Sequence, residues 1–387
     1  MNGNAKKKFA DSHLRLERWV ERCNYRGYEP FDGLSSFLRP LTLGNTFLER
    51  LLQQLVRQSP FNLRPFLGIR PQDSTKGRGY MARGYLEMLR LSGNPSYGER
   101  ASACLDWLDE NKSPGYSKHS WGNHFDYASR GGRLKKSEPI IVWTSLIGHA
   151  FLDAYEIFGN RRHLDVAISA CDWIMGLPTE RTNSGVCLSY VAFNQSSVHN
   201  ANMLGAAMLA RTGTMTGTPR YLTVAKEAME YSCSRQRPDG SWYYAESPEH
   251  HWIDNFHTGY NLDSLKCYTA CTGDSDYAAH LTRGFAYYAD RFFLPDGTPK
   301  YYHNRTYPVD IQCAAQAIET LVNYADLDER ALPLAQKVAD WTIDNMQHAS
   351  GYFYYRQYPL IKSKTPMLHW GQATTYRALS LLLGKIG

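Results

Sequence analysis

Long apolar runs are missing from this sequence of 387 residues, and their absence excludes one class of protein. No stretch of about 18 apolar residues occurs, so we expect no helix that spans a membrane. The N-terminus lacks an apolar core and a small-residue cleavage site, so we expect no secretory signal and a cytoplasmic location. The eight cysteines include no C-x-x-C pair, which predicts reduced and mostly buried thiols.

Motifs for phosphate and metal binding are also missing. The sequence contains no Gly-rich phosphate loop, no P-loop and no nucleophile elbow. Nucleotide-driven chemistry is therefore not expected, and we predict no cofactor. His250 and His251 resemble a metal-binding pair, but no suitably placed third ligand accompanies them, so we predict no metal site.

A strong excess of one charge is absent, whereas tyrosine is abundant. The formal net charge is +6, and the charged residues are scattered along the chain. The cluster Lys6-Lys7-Lys8 predicts a solvated start and no nucleic-acid partner, and we expect residues 1–10 to be disordered. The 27 tyrosines combine an apolar ring with a polar tip, which suits sugar-binding clefts and ordinary protein interfaces alike.

An internal repeat organises the chain. An apolar helix with a polar side is followed by a short segment rich in glycine and aromatic residues, and then by a helix that is less polar all round. The first helices end in the acidic–aromatic pairs Asp106-Trp107, Asp172-Trp173, Glu230-Tyr231 and Asp340-Trp341. The second helices begin near Gly79, Ile141, His199, His257, Ile311 and Gly371, at intervals of 54 to 62 residues. So steady a period predicts one architecture and a single domain over residues 1–387.

Burial assigns the two kinds of helix to two rings. Helices that are apolar on most faces are buried and form the inner ring, and the more polar helices form the outer ring. The predicted fold is all-α, an (α/α)6 toroid of six helical hairpins with short strand-like turns. The inner helices point the same way, so their N-terminal ends, with unsatisfied N–H groups, surround one mouth that suits a ligand.

The entrances of the inner helices carry polar and aromatic residues, which is typical of a ligand pocket. Asp254 and Asp310 are candidate catalytic carboxylates, and each also occupies an N-cap position. His257 and Tyr260, spaced i and i+3 on one helix face, complete the catalytic candidates. The candidate substrate-binding residues are Trp121, His124, Asp126, Trp143, His199, Asn200, Trp252, Asn255, His369, Trp370, Gln372 and Tyr376.

These residues give the chain a resemblance to the six-hairpin glycosidase superfamily over roughly residues 75–385. The turn at 239–244 is typical of such toroids, and the stretch 252–260 resembles helices in proteins from bacterial polysaccharide gene clusters. The whole is distantly similar to unsaturated glucuronyl hydrolases and glucuronyl C5-epimerases. The resemblance implies a carbohydrate-active enzyme of polysaccharide or exopolysaccharide metabolism that acts on an oligosaccharide or polysaccharide, including uronate-containing ones.

Three functions remain open at this point. The first is cleavage of a glycosidic bond by Asp254 and Asp310, with Asp126 and Glu138 in reserve and tryptophans stacked on sugar rings. The second is a uronate lyase or C5-epimerase, in which His257, Tyr260, His199 and Asn200 transfer protons and stabilise the anion. The third is a non-catalytic protein that binds a glycan or serves as a scaffold in polysaccharide biosynthesis.

Overall fold

The computed structural model describes residues 3–129 and 132–387, which form thirteen α-helices and nine short strands. The helices are α1 Gly3–Arg22, α2 Thr46–Gln58, α3 Thr75–Ser92, α4 Pro95–Glu110, α5 Ile141–Phe158, α6 Arg161–Met175, α7 His199–Thr216, α8 Pro219–Cys233, α9 Asn255–Thr272, α10 Ala278–Arg291, α11 Ile311–Asn323, α12 Ala331–Met346 and α13 Thr374–Ile386. No helix in this part of the chain is long and apolar enough to cross a membrane.

The helices form a closed double ring, as the repeat predicts. Helices α3, α5, α7, α9, α11 and α13 pack side by side, and α13 closes the inner ring against α3. Helices α1, α4, α6, α8, α10 and α12 lie outside them. The predicted starts of the inner helices agree with the structure to within a few residues. The sixth begins with a π-helical stretch, Leu368–Ala373, which continues directly into α13. The all-α toroid is therefore confirmed.

The N-terminal helix corrects one prediction. Residues 3–10 belong to α1, so the expected disorder is wrong for them, whereas residues 1 and 2 lie outside the described residues. Phe9, Leu16 and Val20 recur at helical spacing and are buried in the core, where α1 packs against α13 and α12. Lys6 and Lys7 are exposed, and the half-buried Lys8 pairs with Asp344 of α12 at 2.7 Å.

The two ends of the ring differ in their connections. At one end, an inner helix passes to the next outer helix by a short turn, such as Gly159 at φ +66° followed by the N-cap Asn160. At the other end the connections are long and carry the strands. These are β1 Arg26–Gly27, β2 Gln72–Asp73, β3 Tyr127–Ser129, β4 Gly132–Leu134, β5 Thr179–Thr182, β6 Gly185–Leu188, β7 Val309–Asp310, β8 Arg356–Gln357 and β9 Lys362–Ser363. The long connections surround the N-termini of the inner helices and so define the mouth.

The longest connection covers part of this mouth. Strands β1 and β2 pair antiparallel, with Arg26 opposite Asp73, and close a loop that we call the cover segment, residues 26–73. Its interior is held by a buried ion pair in which Nε of Arg64 lies 2.8 Å from Oδ1 of Asp32. Phe31 reaches inward, with its ring centroid 5.9 Å from that of Trp370. The cover segment occurs only once in the chain, so the repeat could not predict it.

A layer of ion pairs crosses the ring below the mouth, one to three turns further along the inner helices. Asp153 of α5 forms ion pairs with Arg83 of α3 at 2.8 Å and with Arg211 of α7 at 2.7 Å. On the other side, Arg377 of α13 lies 2.9 Å from Glu319 of α11. Although burial opposes the charge, the adjacent arginines lower the pKa of Asp153, so its carboxylate is ionised. Paired charges from five of the six inner helices thus lie in the far half of the ring.

Acidification is expected to destabilise the fold through His13 of α1. Its ring stacks on Tyr376 and lies 2.9 Å from the Ser380 hydroxyl, and burial lowers the pKa of His13 to about 3. The unfolded chain, with an ordinary histidine pKa, therefore binds a proton that the folded chain does not. His13 therefore does not reduce the free energy of unfolding above about pH 6.5, and it reduces it progressively as the pH falls from there toward 3. We expect a loss of about 2 kcal/mol between pH 7 and pH 5.

Urea unfolding at the two pH values measures this loss. His13→Gln should show a smaller drop in unfolding free energy than the wild type. His251→Gln is the matched control, because His251 is exposed. Equal pH dependence in the wild type and His13→Gln would contradict the assignment.

Candidate functional site

A buried cluster of charged and aromatic side chains lies at the centre of the mouth. Glu29, from the cover segment, accepts the backbone N–H of His369 and lies 3.2 Å from its Nδ1. Nζ of Lys76, in the first turn of α3, lies 3.9 Å from the same carboxylate and 4.7 Å from the ring of Trp143. All four side chains are at least nine-tenths buried. Trp143 and His369 were predicted site residues, and the structure places them together.

The charges in this cluster determine one another. Burial opposes the charge on Glu29, yet Lys76 and His369 lower the pKa of its carboxyl to about 2. Burial and the neighbouring Lys76 lower the pKa of His369 to about 4, so this imidazole is neutral at physiological pH. A neutral imidazole whose Nδ1–H points to Glu29 keeps the lone pair of Nε2 available. That Nε2 has no partner within the described chain.

Beside this cluster, hydrogen-bonded side chains link α3, α9 and α11. The hydroxyl groups of Tyr80 and Tyr260 lie 3.1 Å apart, and Nε2 of Gln312 donates to Tyr260 at 2.9 Å. The ring centroids of Tyr80 and His369 are 5.8 Å apart. Within the described residues, the amide oxygen of Gln312 and the indole nitrogen of Trp143 are buried without partners. Buried polar atoms of this kind normally bind water or a ligand. The centre of the mouth therefore offers one acceptor and one donor to a polar ligand.

Asp254 and His257 form a second histidine–carboxylate pair. Asp254 caps α9 by accepting the backbone N–H of His257, and its other oxygen lies 2.7 Å from Nδ1 of the same histidine. The indole of Trp252 donates to that second oxygen at 3.0 Å. The His257 side chain is 21% exposed, whereas that of Asp254 is 1% exposed. The carboxylate thus orients an imidazole that reaches solvent, so the N-cap and functional interpretations of Asp254 are compatible.

Asp310 is in a different situation. It caps α11 through the N–H of Gln312, accepts the indole of Trp370 at 2.8 Å, and lies 2.5 Å from Nε of Arg356. The carboxylate is fully buried, and the side chain of Arg356 is 3% exposed. Both oxygens are committed to protein groups. These contacts argue for a structural role of Asp310. The sequence indicated its N-cap position but not its contacts with Arg356 and Trp370.

A cavity of about 510 Å³ opens beside the central cluster. His124 and Asn123 lie at its wall, and the side chain of Asn123 accepts from Lys76 at 3.1 Å. Arg26, Arg70 and Lys136 also line this cavity, together with Asp73, whose carboxylate pairs with Arg78 at 2.7 Å, so the rim is positive on balance. Burial lowers the pKa of His124 to about 3, so it lines the cavity as a neutral group. The arrangement suits a polar ligand that carries an acidic group.

Several predicted binding residues face away from the mouth. Trp121 is fully buried, stacks on Phe151 and donates its N–H to the backbone of Leu108, so its ring is not available to a sugar. Nδ1 of His199 lies near the hydroxyl of Ser232 of α8, and its Nε2 lies 2.8 Å from Glu246. Such contacts between neighbouring helices argue for structural roles, since the first residue of a helix can face its outer partner as easily as the ring centre.

Asn255 and Asn200 follow the capping positions of α9 and α7. The side chain of Asn255 accepts the hydroxyl of Tyr288 on the outer helix α10 at 2.8 Å, which again argues for packing. Asn200 is buried, and its amide oxygen has no partner within the described chain. Trp252 is half-buried and stacks on Tyr244 with ring centroids 4.6 Å apart, at the edge of the mouth.

Two residues of the last inner helix also differ from expectation. Gln372 bonds the backbone of Phe353 and Met367, and Tyr376 donates to Glu17 of α1 at 3.0 Å. His369 and Gln372 share a face only in an α-helix, but they lie in the π-helical stretch, where three positions no longer align.

The acidic candidate Asp126 lies at the edge of the cover segment. It pairs with Arg39 and accepts the backbone N–H of Lys136 at 2.6 Å. The arginine and this N–H group outweigh burial and lower the pKa of Asp126, so its carboxylate is ionised. Its contacts tie the cover segment to the loop after α4, which is a structural role.

The structure adds Glu29, Lys76 and Tyr80 to the site. Glu29 lies outside the repeat, so no periodic signal could identify it. Lys76 and Tyr80 belong to α3, which begins at Thr75, before the predicted start near Gly79. The Ser74 N-cap was the available signal: it marks the true helix start and puts Lys76 at the mouth. No group of three or more metal-ligating side chains lies together within residues 3–129 and 132–387.

No family model matches the chain, and no curated protein matches it in sequence. Solved structures do match. Cellobiose 2-epimerase from Bacillus thermoamylovorans B4167 is 12% identical, with a TM-score of 0.63 over 81% of this chain and 88% of that one. An unsaturated glucuronyl hydrolase specific for heparin is 12% identical, with a TM-score of 0.64 over 99% and 97%. A D-mannose isomerase is 12% identical, with a TM-score of 0.60 over 81% and 87%.

These likenesses show the fold, which is that of the six-hairpin toroid enzymes, and so confirm the resemblance found in the sequence at the level of architecture. The three neighbours act on carbohydrates by different reactions, namely epimerisation, hydrolysis and isomerisation. The fold alone therefore does not select a reaction.

Proposed function

We propose that this protein is a carbohydrate-processing enzyme that removes a proton from a sugar carbon next to a carbonyl or carboxylate group. One observation carries the proposal. Two histidine–carboxylate pairs, Asp254–His257 and Glu29–His369, lie at one mouth. Nε2 of His369 has no partner within the described chain, and the His257 side chain is 21% exposed. An imidazole that is oriented through Nδ1 by a carboxylate is a suitable general base through Nε2.

The surrounding groups can stabilise the anion that proton removal creates. A carbanion next to a carboxylate or carbonyl places negative charge on oxygen, which needs donors that are already in position. Lys76 and the hydroxyls of Tyr80 and Tyr260 lie at the centre of the mouth. Burial raises the pKa of Tyr260 well above its ordinary value, so its hydroxyl stays protonated and donates. His257 lies on the same helix as Tyr260, with ring centroids 6.4 Å apart.

The positive cavity favours an acidic saccharide as the substrate. Arg26, Arg70 and Lys136 line it, and Lys76 lies behind Asn123 at its inner wall. A uronate-containing oligosaccharide combines the carboxylate that these cations attract with an acidic C–H bond next to that carboxylate. Return of the proton to the opposite face gives an epimer, and loss of the substituent at the next carbon gives an unsaturated product.

Glycosidic cleavage by Asp254 and Asp310 is the second candidate. Its support is that the two carboxylates cap neighbouring inner helices, α9 and α11, at the same mouth. An acid catalyst must reach the leaving oxygen, however, and both oxygens of Asp310 are already bonded to protein groups. We therefore rank proton transfer above cleavage.

Incubation with uronate-containing oligosaccharides in D₂O distinguishes these reactions. Deuterium at the carbon next to the carboxylate, detected by NMR or mass spectrometry, is the expected result. An unsaturated uronate, seen by its ultraviolet absorbance, would show the same proton abstraction followed by elimination. New reducing ends without deuterium in the sugar would overturn the proposal in favour of hydrolysis. Tight binding without any conversion across the panel would instead support a non-catalytic glycan-binding protein.

A further inference from the structure

The outer side of the cover segment exposes an apolar face that the folded chain leaves uncovered. Ten large apolar residues between positions 37 and 66 are at least 36% exposed. They are Phe37, Leu41, Leu43, Phe47, Leu48, Leu51, Leu55, Phe61, Leu63 and Phe66, which we call the apolar face. The described chain has only eight other large apolar side chains with comparable exposure, and these are distributed over the rest of its length. So dense a patch marks an interaction surface.

Helix α2 shows that this exposure is built into the sequence. Phe47, Leu51 and Leu55 follow one another at helical spacing and point outward, with 68%, 47% and 61% exposure. The polar residues Glu49 and Gln53 point inward and are buried. Glu49 binds Arg133 at 2.7 Å, and the amide of Gln53 exchanges hydrogen bonds with the backbone of Ala128 in β3.

An amphipathic helix on a globular protein normally buries its apolar side, whereas α2 buries Glu49 and Gln53, with Val56 as the one apolar residue beside them. The hydrogen bonds of Glu49 and Gln53 fix this orientation, because turning the helix over would leave two buried polar groups and Arg133 without partners. The apolar side of α2 is therefore fixed toward the outside.

The hairpin of β8 and β9 extends the surface. Leu360 at its tip is 99% exposed, and Ile361 is 42% exposed. A groove joins this tip to the end of α2 at Gln58 and Pro60, and the hydroxyl of Tyr358 lies 3.3 Å from the Gln58 side chain. Two segments that are distant in sequence thus present one continuous outward surface beside the mouth.

The charge around this surface has one sign. Between residues 33 and 72 the single acidic residue, Glu49, is buried. Of the five arginines there, Arg64 is buried against Asp32 and Arg39 pairs with Asp126, whereas Arg50 has no ion pair within the described residues. The hairpin from residue 355 to residue 366 has no acidic residue, and its lysines Lys362 and Lys364 are at least partly exposed, whereas Arg356 is buried against Asp310. Arg50 and Lys364 remain at least partly exposed in these two segments. Apolar side chains surrounded by cations match the interface of an anionic bilayer, where the apolar groups enter the acyl boundary and the cations meet the headgroups.

We propose that the apolar face docks this protein on an anionic phospholipid membrane, with the mouth next to the bilayer. The charge pattern argues against a second copy of the chain as the occupant, since a symmetric dimer through this face would bring together the basic side chains Arg50 and Lys364 of both copies, and the only acidic residue between positions 33 and 72 is buried. Glu29, on the inner side of the same segment, contacts His369, so the docking surface and the candidate site lie on opposite sides of one element. The membrane interaction is independent of the proposed reaction.

Co-sedimentation with phospholipid vesicles tests the proposal. The full chain should pellet with vesicles of equal parts phosphatidylcholine and phosphatidylglycerol, and much less with phosphatidylcholine alone or at high salt. Leu51→Glu and Phe47→Glu should each lower the partition coefficient by about tenfold or more, because each removes an apolar anchor. Arg50→Gln should weaken binding only to the anionic vesicles.

Leu327→Glu is the matched control. Leu327 is 58% exposed, but it lies in the turn between α11 and α12, at the end of the ring away from the mouth. It should bind vesicles as the wild type does, and circular dichroism should show that all variants are folded. Failure of the wild type to bind anionic vesicles overturns the proposal. Light scattering that shows a dimer, dissociated by Leu51→Glu but not by Leu327→Glu, would assign the apolar face to self-association instead.

Discussion

Replacing His257 by glutamine is expected to lower the rate of proton exchange and turnover by about 10²–10⁴-fold, the usual contribution of a general base. The reason is the geometry at the entrance of α9. Asp254 holds Nδ1 of His257 at 2.7 Å, and the side chain reaches the solvent-accessible mouth. Glutamine retains polarity and approximate size but has no lone pair that can take a proton at neutral pH. The rate of deuterium incorporation into a uronate substrate measures the effect.

Two further variants make this result specific. His251→Gln should retain full activity, because His251 is exposed and stacks on Tyr243 at the periphery. Asp254→Asn should retain the N-cap of α9, since an amide oxygen can still accept the N–H of His257, but lose the charge that stabilises the imidazolium. We therefore expect it to lower kcat more than it changes KM. Wild-type exchange rates in His257→Gln would refute the assignment of the base.

Replacing Asp310 by asparagine is expected to destabilise the fold by about 3–5 kcal/mol, the usual effect of leaving one partner of a buried ion pair unpaired. Asparagine can still cap α11 and accept the indole of Trp370, so the substitution removes mainly the charge opposite Arg356. Urea unfolding followed by circular dichroism measures the loss. Asp106→Asn is the control, because its side chain is 58% exposed in its ion pair and should change stability very little.

A double variant tests the cause of this loss. Adding Arg356→Met to Asp310→Asn removes the uncompensated cation and should recover part of the stability. If the role of Asp310 is structural, the double variant must be more stable than Asp310→Asn alone. If Asp310→Asn were instead as stable as the wild type but inactive, with new reducing ends formed only by the wild type, Asp310 would be a catalytic acid and glycosidic cleavage would replace proton transfer as the function.

The sequence predicted the ring well because the ring follows from periodic burial. His199 and Ile311 were predicted as starts of inner helices and are the first residues of α7 and α11. The direction in which a side chain points at such a start changes when the helix begins one or two residues earlier or later. His257 reaches the mouth, while His199 turns to the outer helix α8. The period of the repeat is too coarse to distinguish these cases.

Features that occur once could not be predicted from the repeat. Glu29 belongs to the cover segment and meets His369 across 340 positions of sequence, so no local pattern connects them. The π-helical stretch at Leu368–Ala373 likewise shifts the residues after it, and only the packed ring shows that Gln372 faces away from His369. The candidate site thus combines a predictable scaffold with contacts that arise only from tertiary packing.

The ion pairs across the ring have a consequence for how a polymer can be handled. Asp153 binds Arg83 and Arg211, and Arg377 binds Glu319, so paired charges from five inner helices lie in the far half of the ring. We infer that these ion pairs close the ring at its far end. Under the proposed function, a saccharide would then enter and leave on the side of the mouth, which favours chain ends and short oligosaccharides over processive action along a polymer.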